Sequence, residues 1–91
     1  MLNLRKIGAR IASYRKANGM TQDDLAEALF LSRQSVSKWE KGIAAPSIEN
    51  LIMLTELFHT TFEDLLCLDH SKAEQSIFPG NLTQNKKENP L

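Results

Sequence analysis

Arg33 and Gln34 stand side by side directly after Ser32, and Lys38 follows four residues beyond Gln34. In a helix, residues four apart share a face. These side chains have a chemistry in common. A guanidinium can fork onto the O6 and N7 of guanine, a glutamine amide can pair bidentately with adenine, and an ammonium can donate to guanine or to a phosphate oxygen. Ser37 adds a hydroxyl able to touch a base or a phosphate. The group reads as a set of base-edge donors on one short helix.

Such a set is useful only if a scaffold holds the helix by its other face. Val36 and Trp39, three residues apart, supply that face, Ser32 caps the helix and Gly42 stops it. The spacing of Trp39 from Val36 places its ring in the core rather than on a base. Immediately upstream, Thr21 opens another helix, with Asp24 at the capping-box position and Leu25, Ala26 and Leu29 as the buried stripe. Asp23 and Asp24 face the positive end of its dipole. Only Phe30-Leu31 is left for the turn. Two short amphipathic helices with almost no room between them form the layout of a helix-turn-helix over residues 21–42.

The flanking segments supply the rest of an all-α fold. Leu4, Ile7, Ile11 and Tyr14 form a helical stripe, with Asn3 as cap and Asn18-Gly19 as terminator, while Gly8 and Ala9 would let another element approach closely. After a connector from Ile43 to Pro46, Ser47 caps a fourth helix whose stripe is Ile48, Leu51, Ile52, Thr55 and Phe58. Thr61 caps a fifth, with Phe62, Leu65 and Leu66 inward and Asp64 at the capping-box position. The compact domain is expected over residues 1–68. Residues 69–91 are rich in Ser, Asn, Gln, Lys and Glu, and they read as a mostly disordered, flexible tail whose only apolar pair is Ile77-Phe78.

Composition bounds the function. The 91 residues suit one small domain. Eleven basic and eleven acidic residues give no net charge, but the distribution is uneven. Arg5, Lys6, Arg10, Arg15 and Lys16 fall in a stretch without acids, and Arg33, Lys38 and Lys41 face Glu40 alone. A neutral chain can thus present one basic face. Cys67 is the single cysteine, which excludes a disulfide scaffold and fits a reducing, cytoplasmic setting. No apolar run approaches the roughly 20 residues that span a bilayer. The basic N-terminus lacks the apolar core of a signal peptide.

The residues quoted above resemble the Cro/C1-type (XRE-like) helix-turn-helix family. The likeness rests on Thr21-Gln22 with Leu25-Ala26, on Ser32 through Gly42, and on Pro46 with Leu51, in order and at the family's spacing. It implies a five-helix, lambda-repressor-like DNA-binding domain and a transcriptional regulator, commonly a repressor, that binds double-stranded DNA as a homodimer on a palindrome. It further implies base contacts from Arg33, Gln34, Ser37 and Lys38, and phosphate contacts from Gln22, Ser35 and Lys41. An ion pair between Arg15 and Glu40 would orient the reading helix. The dimer surface is expected on the fourth and fifth helices, at Leu54, Leu57, Phe58 and Phe62. One departure stands out: the family often has glycine where Phe30 stands.

Other function classes find less support. His59, His70 and Cys67 lie in no metal-binding or nucleophile motif, so no enzyme, metal or cofactor is expected. His59, at a helix end, reads as a dipole-compensating residue. An antitoxin-like interaction module, with Ile77 and Phe78 gripping a protein partner and DNA binding serving autoregulation, is the alternative. Membrane-surface binding through the basic first helix conflicts with the need for its apolar face in the core. With no ligand-binding domain after residue 68, control is expected from abundance, proteolysis or a protein partner.

Overall fold

The computed structural model describes residues 2–68. The expected tail, with Ile77, Phe78 and His70, lies outside the described residues. Five helices follow in order: α1 (Leu4–Ala17), α2 (Gln22–Ala28), α3 (Arg33–Glu40), α4 (Ile48–Phe58) and α5 (Phe62–Leu65). Each begins on the polar residue expected to cap it. Asn3, Thr21, Ser32, Ser47 and Thr61 all accept a first-turn amide. At Thr21 the box is reciprocal: Asp24 N donates to Thr21 Oγ1 at 3.0 Å and Thr21 N donates to Asp24 Oδ2 at 2.9 Å. These bonds hold the Asp24 carboxyl below the usual carboxylate range.

The helix ends share a device that the sequence displays only in part. Left-handed residues follow all five: Gly19, Phe30, Gly42, His59 and Cys67. After α2, Phe30 N donates to Glu27 O at 3.2 Å and Leu31 N to Ala26 O at 2.8 Å. This is the Schellman closure, which normally takes glycine. The turn therefore keeps the left-handed geometry, with Phe30 at φ 59° and its side chain 87% exposed. His59 likewise serves the backbone, at φ 55°.

The core gathers Ile7 and Ile11 of α1, Leu25 and Ala26 of α2, Leu29, Val36 and Trp39 of α3, Leu54 and Phe58 of α4, and Leu65 of α5. α3 packs on both α1 and α2, and α5 on α1 and α4. Gly8 sits where α1 crosses the end of α3. A Cβ there would run into the Trp39 carbonyl oxygen and lie 3.0 Å from that of Glu40. The expected close approach is made at this glycine.

Four expectations are corrected. Ile48 and Ile52 do not belong to the buried stripe of α4, being 74% and 43% exposed; Phe58 is buried as expected, and Leu54 joins it. The helix is apolar around most of its girth, so periodicity alone admits more than one face, and packing chose Leu54 together with Phe58, whose ring stacks on Tyr14 at 5.3 Å. For the same reason Leu54 and Phe58 are unavailable to a partner. Phe62, expected inward, is 43% exposed because Leu65 fills the space beneath the short α5. Finally, Asp64 makes no capping box. Its carboxylate accepts instead from Tyr14, from Thr60 at 3.0 Å and from Arg10 at 2.9 Å, which ties α5 to α1.

Candidate nucleic-acid interface

α3 divides cleanly. Val36 and Trp39, 0% and 4% exposed, anchor it in the core. Arg33, Gln34 and Lys38 are exposed, and Ser35 and Ser37 are half-buried. The first turn of α3 contains no acid, so its N-terminal dipole and Arg33 leave that end positive. Lys41 follows as the exposed C-cap. The expected base-reading residues thus share one helix whose apolar side is committed elsewhere.

A network under this helix fixes it to the scaffold. Arg15 Nε donates to Glu40 Oε2 at 2.7 Å and Arg15 Nη2 to Glu40 Oε1 at 3.1 Å, an end-of-helix fork from α1 to α3. Arg15 Nη1 reaches the Met20 carbonyl at 2.8 Å, tying in the loop before α2. Both side chains are nearly withdrawn from water, at 11% and 9% exposure. The hydrogen bond to Glu40, and then its charge, raise the Arg15 pKa against the opposing effect of burial. The structure therefore brings together the two residues expected to pair.

Two contacts were not foreseen. Gln22 Nε2 donates to Glu40 Oε1 at 2.9 Å. A carboxylate only accepts, so the amide nitrogen must face it. One N–H of Gln22 is held by this bond and one stays free to donate. The partners are eighteen residues apart, and no local pattern signals the bond. The second contact pairs Arg33 Nε with Asp23 Oδ1 at 3.5 Å, across the turn between α2 and α3. Opposite charges flanking a tight turn were its only sequence signal. Ser35 Oγ lies 3.3 Å from the cap hydroxyl of Ser32. No helix among the described residues is long and apolar enough to cross a membrane.

Comparison with known proteins agrees with this architecture. The helix-turn-helix family model matches residues 11–65. The HTH-type transcriptional activator BcrR of Enterococcus faecalis is 37% identical over 57 residues, covering 63% of this chain and 28% of BcrR. The HTH-type transcriptional regulator DicA of Escherichia coli is 39% identical over 66 residues, covering 72% of this chain and 49% of DicA. The chain thus spans half or less of these curated relatives. Among solved structures, the P22 c2 repressor in complex with a synthetic operator superposes with a TM-score of 0.64 at 30% identity, over 69% of this chain and 96% of that one. From the matched residues, the fold and these likenesses together, the chain belongs to the Cro/C1-type (XRE-like) helix-turn-helix family.

Proposed function

We propose that the chain is a sequence-specific, double-stranded DNA-binding transcriptional regulator, acting as a repressor that binds a palindromic operator as a homodimer. The observation that carries the reading is the division of α3: two buried anchors on one side, and Arg33, Gln34 and Lys38 exposed on the other. Placed in a major groove, Arg33 forks onto guanine, Gln34 pairs with adenine, and Lys38 with Ser37 reaches a further base edge. Gln22 donates its remaining N–H to a phosphate, and Ser35 and Lys41 add phosphate contacts that set register. The network of Arg15 and Glu40 orients α3 for this. The likeness to a repressor solved with its operator supports the assignment.

A single α3 spans few base pairs. Two copies would place two such helices about 34–36 Å apart on one face of a duplex. With Leu54 and Phe58 in the core, the surface assigned to the second copy is the half-buried Leu57 with exposed Phe62 and Ile52 on α4 and α5.

Selection of bound duplexes from a random pool tests the reading, repeated with Arg33→Ala and Gln34→Ala. The expected result is a two-fold symmetric motif in which each variant loses preference at one position per half-site, by about five- to a hundredfold. Recovery of no motif, with only weak and salt-sensitive binding, would overturn it.

A further inference from the structure

Arg33 begins α3 at the positive end of the helix, and no acid in that first turn offsets it. Its counter-charge comes from α2. Asp23 Oδ1 lies 3.5 Å from Arg33 Nε and is its only ion-pair partner among the described residues. Asp23 is not needed to cap α2, because Thr21 and Asp24 form the reciprocal box. Both members of the pair are open to water, at 77% for Asp23 and 58% for Arg33, so the contact adds little to folding stability. Its geometry matters more. The guanidinium carries five N–H groups in a rigid plane. Nε is the guanidinium atom nearest Asp23, an ion pair without a hydrogen bond, and the Nη groups donate no hydrogen bond to any described residue; two parallel N–H donors are what the O6 and N7 of one guanine require.

We propose that Asp23 is a positioning residue for Arg33: it holds the guanidinium through this ion pair and thereby sharpens the choice of base. The inference rests on the reading of Arg33 as a base contact. Two effects of opposite sign follow. Holding the guanidinium reduces the freedom lost on docking and the number of alternative sites it can reach, which favours the correct base. A carboxylate beside the DNA-facing surface also repels every phosphate backbone, which weakens binding to any sequence. Asp23 therefore lowers general affinity and raises discrimination.

The test measures binding of the full chain to its selected duplex, to duplexes altered at the Arg33 position, and to a random duplex. Asp23→Asn is expected to raise affinity for the random duplex by about two- to fivefold, the scale of one exposed charge interaction. It is expected to reduce preference at the Arg33 position by about three- to tenfold, part of what a bidentate contact supplies. Asp23→Glu should retain most of that preference. In an Arg33→Ala background, Asp23→Asn should change no base preference while still raising general affinity. If Arg33→Ala relaxes one position and Asp23→Asn leaves it untouched, the positioning role is overturned and base reading by Arg33 stands. If Arg33→Ala itself alters no preference, the base-contact reading fails and the proposal fails with it.

Discussion

Arg15 and Glu40 show how a single pair can matter for reasons other than its own strength. Two withdrawn charges gain little over an apolar pair of the same shape, but removing one partner strands the other. Arg15→Ala leaves Glu40, 9% exposed, with only the Gln22 amide. We expect a loss of about 3 kcal/mol in urea unfolding. Replacing both residues by apolar ones should lose less than the single change. A loss below about 1 kcal/mol for Arg15→Ala would place the pair with ordinary surface bridges. Phe30 is the opposite case. Its ring buries almost nothing, while its backbone sits in a region that disfavours any side chain. Relief of that strain, about 1–2 kcal/mol, outweighs the extra freedom glycine has when unfolded. Phe30→Gly should therefore raise the melting temperature, by about 0.5–1 kcal/mol of stability. A lower melting temperature would show that the ring makes contacts in solution that offset the strain.

At the scale of elements, helix caps were readable and helix faces less so. A capping hydroxyl acts within three residues of itself, so Thr21, Ser32, Ser47 and Thr61 announce their helices locally. The face of α4 is a tertiary choice. Ile48 and Leu51, Ile52 and Leu54, Leu57 and Phe58 surround the helix with apolar side chains, and only packing against Tyr14 and α5 selects among them. The crossing of α1 and α3 has a sharper requirement. Gly8 brings the backbones so close that a methyl group meets carbonyl oxygens that cannot move without shifting α3. Gly8→Ala should destabilise by about 1–3 kcal/mol, the range for overpacking. It should also weaken binding to the selected duplex, because the displaced element is the one proposed to read bases. Unchanged melting and affinity would mean that the two helices separate without penalty.

For the molecule as a whole, Asp64 closes the bundle by binding α1 to α5. The Tyr14 hydroxyl first, then that of Thr60, hold its carboxyl below the usual range; desolvation opposes them, and the charge of Arg10 adds to the lowering. A carboxylate whose pKa is lower folded than unfolded stabilises the fold fully above its unfolded value. That contribution disappears as pH falls through the folded value. Stability of the wild type should therefore drop more steeply than that of Asp64→Asn as pH falls below the ordinary carboxylate range. At neutral pH the variant should melt lower. Parallel acid-unfolding profiles would assign the acid sensitivity to other carboxylates, such as Asp24.

Taken alone, the amino-acid sequence determined the five helices, their starting residues, the buried side of α3 and the residue types exposed on it. These depend on interactions spanning three or four positions, and such spacings are visible in a linear string. The meeting of Gln22 with Glu40, the reach of Asp64 to Tyr14, the face of α4 and the exposure of Phe62 depend on residues far apart in the chain. The left-handed backbone at His59 and Cys67 was equally hidden, while at Phe30 the glycine usual in the family marked the position but not which geometry the turn would take. Tertiary packing decided these points because only the assembled bundle fixes which of several locally acceptable contacts can be made together.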